Sequence, residues 1–232
     1  MAYIELEQGE IICKGNFSFV LDFTKNEGLY LKLFEAEQIF KINYIDFSHK
    51  MRMAYEAFAL FEEVKKRRHM PQYYMKSESE IETAILSEIK TPASILNYKN
   101  IIIRLCKDRE REFVSIFTKY KFNKNVIDDI DNRRALKIFL RYVYDFGSNS
   151  SHVNNNIDPQ YVPNRENCLN VIASFHDFLT IYYGVVHKFD SNLIPIREYI
   201  PVPKSICEGM GLKLNVGKHL YVRENKGKIM YS

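Results

Sequence analysis

The residues with the clearest potential for chemistry lie in the stretch DFGSNSSHVNNN, where one imidazole, His152, follows a run of small polar residues. A histidine titrates near neutral pH and can act as a general acid or base, and an arginine can hold a phosphate through two parallel hydrogen bonds. The nearest arginine upstream is Arg141, which an unbroken helix would place roughly 16 Å from His152. A chain that folds back at Gly147, or a symmetric dimer, would bring the two side chains to one phosphate. One interpretation of the pair is therefore an acid or base and a cation that act together on a phosphate without a metal ion.

The leading interpretation gives the same histidine a structural role. Arg52 and Glu56, in the segment RMAYE, have the i,i+4 spacing of an intrahelical ion pair beside apolar residues. A partly buried polar network of Arg52, Glu56, Asn149 and His152 would fix how two helices pack. Such a network would not catalyse a reaction.

The elements that must position these residues are predicted to be helices. Apolar residues recur at helical spacing from Gly28, and residues 46–68 run without Pro or Gly. Ser77 and Glu80 have the spacing of a capping box at a helix start. Further helices are expected from the Thr91-Pro92 pair, over the charged segment after Cys106, and over residues 125–147 and 165–189, with Gly147 as a helix-terminating residue.

Two short motifs on predicted helices together resemble those of a known superfamily. An Arg, three residues and a Glu in an early helix, followed by Gly-x-Asn, small residues and His at the end of a later one, resembles the compact domain-of-unknown-function branch of the HEPN superfamily. Members of this branch are found alone or fused to restriction and other defence proteins. The resemblance covers about residues 28 to 189 and implies a HEPN-like helical bundle. In HEPN ribonucleases an arginine lies a few residues before the histidine, whereas Asp145, Phe146 and Gly147 occupy those positions here.

The basic residues of the chain are concentrated near its C-terminus. The formal net charge is +4, and from Pro201 onward the sequence has two acidic residues, Glu208 and Glu224, and six basic ones. The basic residues are Lys204, Lys213, Lys218, Arg223, Lys226 and Lys228. Prolines precede them, and short alternating stretches follow, which predicts an extended strap and a small β appendage. These cations favour an acidic partner surface, which would be a protein or a nucleic-acid backbone.

Composition limits the remaining classes of function. The 232 residues are 46% hydrophobic, and the four cysteines are too widely spaced to indicate a zinc site or a disulfide framework. No metal and no cofactor are predicted. No apolar run approaches the roughly 18 residues of a membrane span, and the first residues do not resemble a signal peptide. We therefore expect a cytoplasmic protein that does not associate with a membrane.

These observations predict a mainly α protein, a HEPN-like bundle with a small C-terminal β appendage. The expected organisation is an N-terminal strap or strand pair over residues 1–27, a helical bundle over 28–189 and a Pro-rich strap with a basic β meander over 190–232. The leading functional expectation is a non-catalytic interaction or accessory subunit of a bacterial complex, in the setting of anti-phage defence that the resemblance implies. Its partner would be an ATPase or nuclease subunit. The alternatives are a HEPN endoribonuclease toxin that acts as a homodimer, and a DNA-binding accessory protein that uses the basic tail.

Overall fold

The structure, a computed structural model, is mainly helical. It describes residues 4–7, 10–13, 15–91, 94–119, 132–149, 161–189, 192–195, 199–201 and 221–222. The helices within these ranges are α1 (Ser18–Thr24), α2 (Glu27–Ile39), α3 (Tyr44–Arg67), α4 (Glu78–Lys90), α5 (Tyr98–Leu105), α6 (Glu110–Lys119), α7 (Asn132–Asn149) and α8 (Arg165–Tyr182).

Helix α3 is the centre of the bundle. The side chain of Asn43 caps its start by accepting hydrogen bonds from the backbone N–H groups of Ile45 and Asp46. Helix α3 packs against α2, α4, α5, α7 and α8. The apolar stripe that the sequence predicts along it is buried, with no exposed surface at Phe47, Met51, Ala54, Tyr55 and Phe58. Because α3 contributes to the core along much of its length, it provides a rigid reference for the side chains on its other faces.

Two predicted helix ends are wrong, and both involve a glycine. Helix α7 does not end at Gly147 but continues to Asn149, because Gly147 lies within the helix and packs on α3. The last helix does not reach Phe189. It ends at Tyr182, and Gly184 has the positive φ of 75° that terminates it.

Two predicted starts also differ from the structure. Helix α5 does not begin at the Thr91-Pro92 pair but at Tyr98, where the side chain of Asn97 accepts from the backbone N–H of Asn100. The helical part of the chain begins before residue 28, since α1 places Phe19 and Val20 in the core. The capping box of Ser77 and Glu80 is confirmed at the start of α4.

The strands are short. Strands β1 (Ile4–Glu7) and β2 (Glu10–Cys13) pair antiparallel, and β2 also pairs antiparallel with β5 (Tyr221–Val222). Strands β3 (Val186–Phe189) and β4 (Asn192–Pro195) form a hairpin after α8. Most of the predicted C-terminal appendage lies outside the described residues. Within the described ranges, no helix is long and apolar enough to cross a membrane.

Candidate functional site: a polar network around Arg52

Helices α3 and α7 approach each other closely at Gly147. A Cβ atom built on Gly147 would overlap the Cβ of Arg52 and would lie 2.5 Å from the backbone oxygen of Ser48. Both distances are below those of real carbon contacts, so only glycine fits at this crossing. The absence of a side chain on α7 therefore places Arg52 directly against the last turn of that helix.

The guanidinium of Arg52 has three side-chain partners, and two of them, on α7, join that helix to α3. Its Nε donates to Glu56 Oε1 at 2.9 Å, its Nη1 to Ser148 Oγ at 3.0 Å and its Nη2 to Tyr144 OH at 3.0 Å. The guanidinium carbon also lies 4.8 Å from the centre of the Tyr144 ring, a cation–π geometry. Every nitrogen of the guanidinium thus has a partner within the bundle.

Partial burial shifts the pKa values of Arg52 and Tyr144 in this network. Burial lowers the pKa of Arg52, but its hydrogen bond to Glu56 and the neighbouring Tyr144 raise it by more, so the net shift is upward. Burial also raises the pKa of Tyr144, which keeps its phenol protonated at neutral pH. Lys99 Nζ also lies 4.9 Å from the centre of this ring. Arg52 and Tyr144 thus both keep their protons at neutral pH, so the network is suited to packing and charge compensation.

Arg141 lies outside this network, on the exposed face of α7. Its side chain is 72% exposed and donates from Nε to Asp145 Oδ2 at 2.9 Å, one turn further along the helix. This hydrogen bond raises the pKa of Arg141. Lys99 Nζ lies 3.4 Å from the other oxygen of Asp145. Arg141 is therefore part of a surface ion pair and not of the Arg52 cluster.

Several predicted site residues lie where the structure gives no side-chain description. His152, the side chain of Asn149 and the six basic residues of the tail are outside the described residues. Their predicted roles in catalysis, in the polar network and in partner binding remain predictions. Arg52 and Glu56 are the two members of the predicted network whose contacts are described.

The sequence interpretation missed Tyr144 and Ser148. They lie one turn apart on α7, beside Gly147, and both face Arg52. Their spacing of four residues is that of two side chains on one face of a helix, and the sequence alone shows it. Recognising it requires knowing that Gly147 is a packing position and that its flanking polar residues therefore meet α3.

A second polar cluster, also missed, attaches residue 200 to the bundle. The side chain of Asn16 donates to the backbone oxygen of Ile200 at 2.8 Å and accepts from its backbone N–H at 3.1 Å. The backbone N–H and the side-chain amide of Asn16 both donate to the carboxyl group of Glu37, which is fully buried. Burial raises the pKa of Glu37 to about 7, although the hydrogen bonds from Asn16 act in the opposite direction. The nearby ring of His176 is buried against Phe17, and burial lowers its pKa.

The described residues contain no group of three or more His, Cys, Asp or Glu side chains placed to bind a metal ion. Comparison with known proteins gives no match for the chain among protein-family models, curated proteins or solved structures.

Proposed function

We propose that this chain is a non-catalytic, HEPN-like interaction subunit of a bacterial complex, with anti-phage defence as the setting that its sequence resemblance implies. The observation that carries this proposal is the use of Arg52 in helix packing. Each guanidinium nitrogen has a partner in the bundle, which is Glu56 on the same helix for Nε and Ser148 and Tyr144 on α7 for the other two. Three of its five N–H groups are thus used within the bundle, and two of these hold α3 against α7.

An interaction subunit needs a docking surface, and the bundle has a suitable groove. A groove of about 390 Å³ runs along α3 between α2 and α4. Its apolar lining consists of Leu29, Met53, Ala57, Leu60, Phe61 and Val64. Met53 is 43% exposed, so the groove presents apolar surface to solvent. A groove of this kind fits the apolar face of an amphipathic helix.

The charges at the rim indicate the chemistry of the partner. The groove is bordered by three carboxylates, Glu56, Glu78 and Glu82, and by one cation, Lys32. Glu56 pairs with Arg52 and Glu78 pairs with Arg68, whereas Glu82 is exposed and has no ion-pair partner among the described residues. The occupant that best complements this surface is a basic amphipathic helix of a partner protein, with a Lys or Arg near Glu82.

The test combines identification of the partner with a pair of matched variants. We would purify the tagged protein from its native host and identify, by mass spectrometry and native mass, what co-purifies in fixed ratio. Binding of that partner would then be measured for Met53→Asp and for Ile45→Asp. Both residues are about half exposed on α3, at 43% and 54%, but only Met53 lines the groove. We expect Met53→Asp to weaken binding about tenfold or more, as a desolvated charge in an interface does, and Ile45→Asp to have little effect.

Two outcomes would refute this reading of the groove. Equal binding by both variants would place the interface elsewhere, and a homodimer without a stoichiometric partner would remove the role as a subunit. RNA cleavage that His152→Ala abolishes without lowering the thermal midpoint would replace the proposal with the ribonuclease alternative. Retardation of duplex DNA that disappears on deletion of residues 201–232 would favour the DNA-binding alternative.

A further inference from the structure

Residues 199–201 form a short segment, the Tyr199 strap, that is attached to the bundle through the side chain of Asn16. Asn16 Nδ2 donates to the backbone oxygen of Ile200 at 2.8 Å, and the backbone N–H of Ile200 donates to Asn16 Oδ1 at 3.1 Å. Two bonds in opposite directions to one residue are the pattern by which neighbouring antiparallel strands pair. Asn16 thus binds the strap by its backbone, and this contact does not depend on the side chain of residue 200.

A buried carboxyl group holds Asn16 in the orientation that this contact needs. Glu37, which has no exposed surface, accepts from the backbone N–H of Asn16 at 2.9 Å and also from its side-chain amide. One hydrogen of that NH₂ group is therefore directed at Glu37, and the other at the oxygen of Ile200. The amide oxygen is left facing the N–H of Ile200, so Glu37 sets up Asn16 as a clamp for a peptide backbone.

Aromatic rings lie beneath the strap, beside Asn16. The ring centre of Tyr199 is 5.8 Å from that of His176 and 6.3 Å from that of Phe17. The rings of Phe17 and His176 pack edge-on, with 5.4 Å between their centres, and neither residue has any exposed surface. Tyr199 contributes to that burial from the side of the strap. Phe17 and His176 thus form an aromatic floor that receives one ring of the strap.

The strap lies at the surface, whereas its floor belongs to the core. Ile200 is 38% exposed and Tyr199 is partly buried, while Phe17 is a member of the main hydrophobic cluster. Segments with few buried contacts open locally, without unfolding of the whole domain. Opening of the strap would break the two hydrogen bonds to Asn16 and would lift one ring from the floor. The packing of the helices on each other would remain.

We infer that the Tyr199 strap opens while the helical bundle stays folded, and that it occupies a docking site for an extended peptide of a partner protein. The chemistry of that peptide follows from the strap itself. An aromatic side chain would pack on the floor, and the backbone of the next residue would pair with Asn16. Main-chain hydrogen bonds with a pocket for one side chain are a common mode of peptide recognition. None of these residues lines the groove between α2 and α4, so the inference does not rest on the proposed function.

Hydrogen exchange measured by NMR on the full chain tests the opening, because the amide of Ile200 donates to Asn16. We expect that amide to exchange at least about tenfold faster than the amide of Phe58, which lies in the core on α3. The variant Asn43→Ala removes the cap of α3 and does not touch the strap. It should speed exchange at Phe58 about fivefold and leave exchange at Ile200 unchanged. Equal acceleration at both amides would show that the strap opens only when the bundle unfolds, and would overturn the inference.

Titration of the full chain with a synthetic peptide, whose sequence is that of residues 197–202, tests the docking site. The strap competes with this peptide from within the same chain, at an effective concentration of about millimolar. Weakening the strap by Tyr199→Ala should therefore tighten binding of the peptide at least about tenfold relative to the parent. The same peptide with alanine in place of its tyrosine should bind that variant about tenfold more weakly. The NMR shift of the Asn16 side-chain amide reports occupation of the site.

Three outcomes of the titration would overturn the docking site. An Asn16 amide that does not shift in the Tyr199→Ala variant at millimolar peptide would show that no peptide binds there. Equal affinity for the two peptides would show that the aromatic floor recognises no side chain. A dimer of the parent that Tyr199→Ala dissociates would identify a second copy of this chain as the occupant, in place of a partner protein.

Discussion

Replacing Gly147 by alanine tests the close crossing of α3 and α7, because the crossing decides whether the substitution raises or lowers the free energy of unfolding. In an unobstructed helix, the change from glycine to alanine stabilises by about 0.5–1 kcal/mol. At Gly147 the added methyl would overlap Arg52 Cβ and lie 2.5 Å from Ser48 O, and the backbone oxygen cannot rotate away. Overpacking of this kind costs about 1–3 kcal/mol, and a backbone obstacle favours the upper end. The net expectation is a loss of about 2 kcal/mol in the free energy of unfolding.

The assay is thermal unfolding followed by circular dichroism, with Gly28→Ala as the matched control. Gly28 also lies in a helix, and its nearest obstacle is Asn26 Oδ1 at 3.4 Å, an ordinary contact distance. For a chain of this size we expect Gly147→Ala to lower the midpoint by about 4–8 °C, while Gly28→Ala leaves it unchanged or raises it. A midpoint that rises for Gly147→Ala, as in the control, would refute the close approach of the two helices.

Two further predictions concern the polar clusters. Arg52→Lys should lower the free energy of unfolding in urea by about 1–2 kcal/mol, because an ammonium group cannot reproduce the geometry that joins Tyr144 and Ser148. The control, Arg134→Lys, changes an exposed position of α7, and its free energy of unfolding should stay within about 0.5 kcal/mol of the parent. Equal losses in the two variants would contradict the stabilising role of the Arg52 network. The raised pKa of Glu37 means that the folded protein binds this proton more tightly than the unfolded chain, so the stabilisation falls as pH rises from about 4.5 to about 7. Relative to the parent, the free energy of unfolding of Glu37→Gln should therefore rise by about 3 kcal/mol between pH 4.5 and pH 7.5. A difference between the two proteins that does not change with pH would contradict this expectation.

The helices that local signals define were predictable from the sequence. The long helix α3 has an uninterrupted apolar stripe and basic residues at its end, and Ser77 with Glu80 caps α4 as predicted. The two errors at glycines have one physical cause. Gly147 and Gly184 look alike in a single sequence, but one is required by a neighbouring helix and the other by a positive φ. Which requirement applies depends on the three-dimensional surroundings of each residue.

The contacts of the candidate site were predictable from the sequence only where they lie within one helix. The spacing of Arg52 and Glu56 on one helix is a local property, and their ion pair follows from it. The contacts to Tyr144 and Ser148 depend on the register of α7 against α3, which a single sequence does not contain. Asn16 and Ile200 are still further apart in sequence, and their mutual hydrogen bonds form only once the bundle has folded.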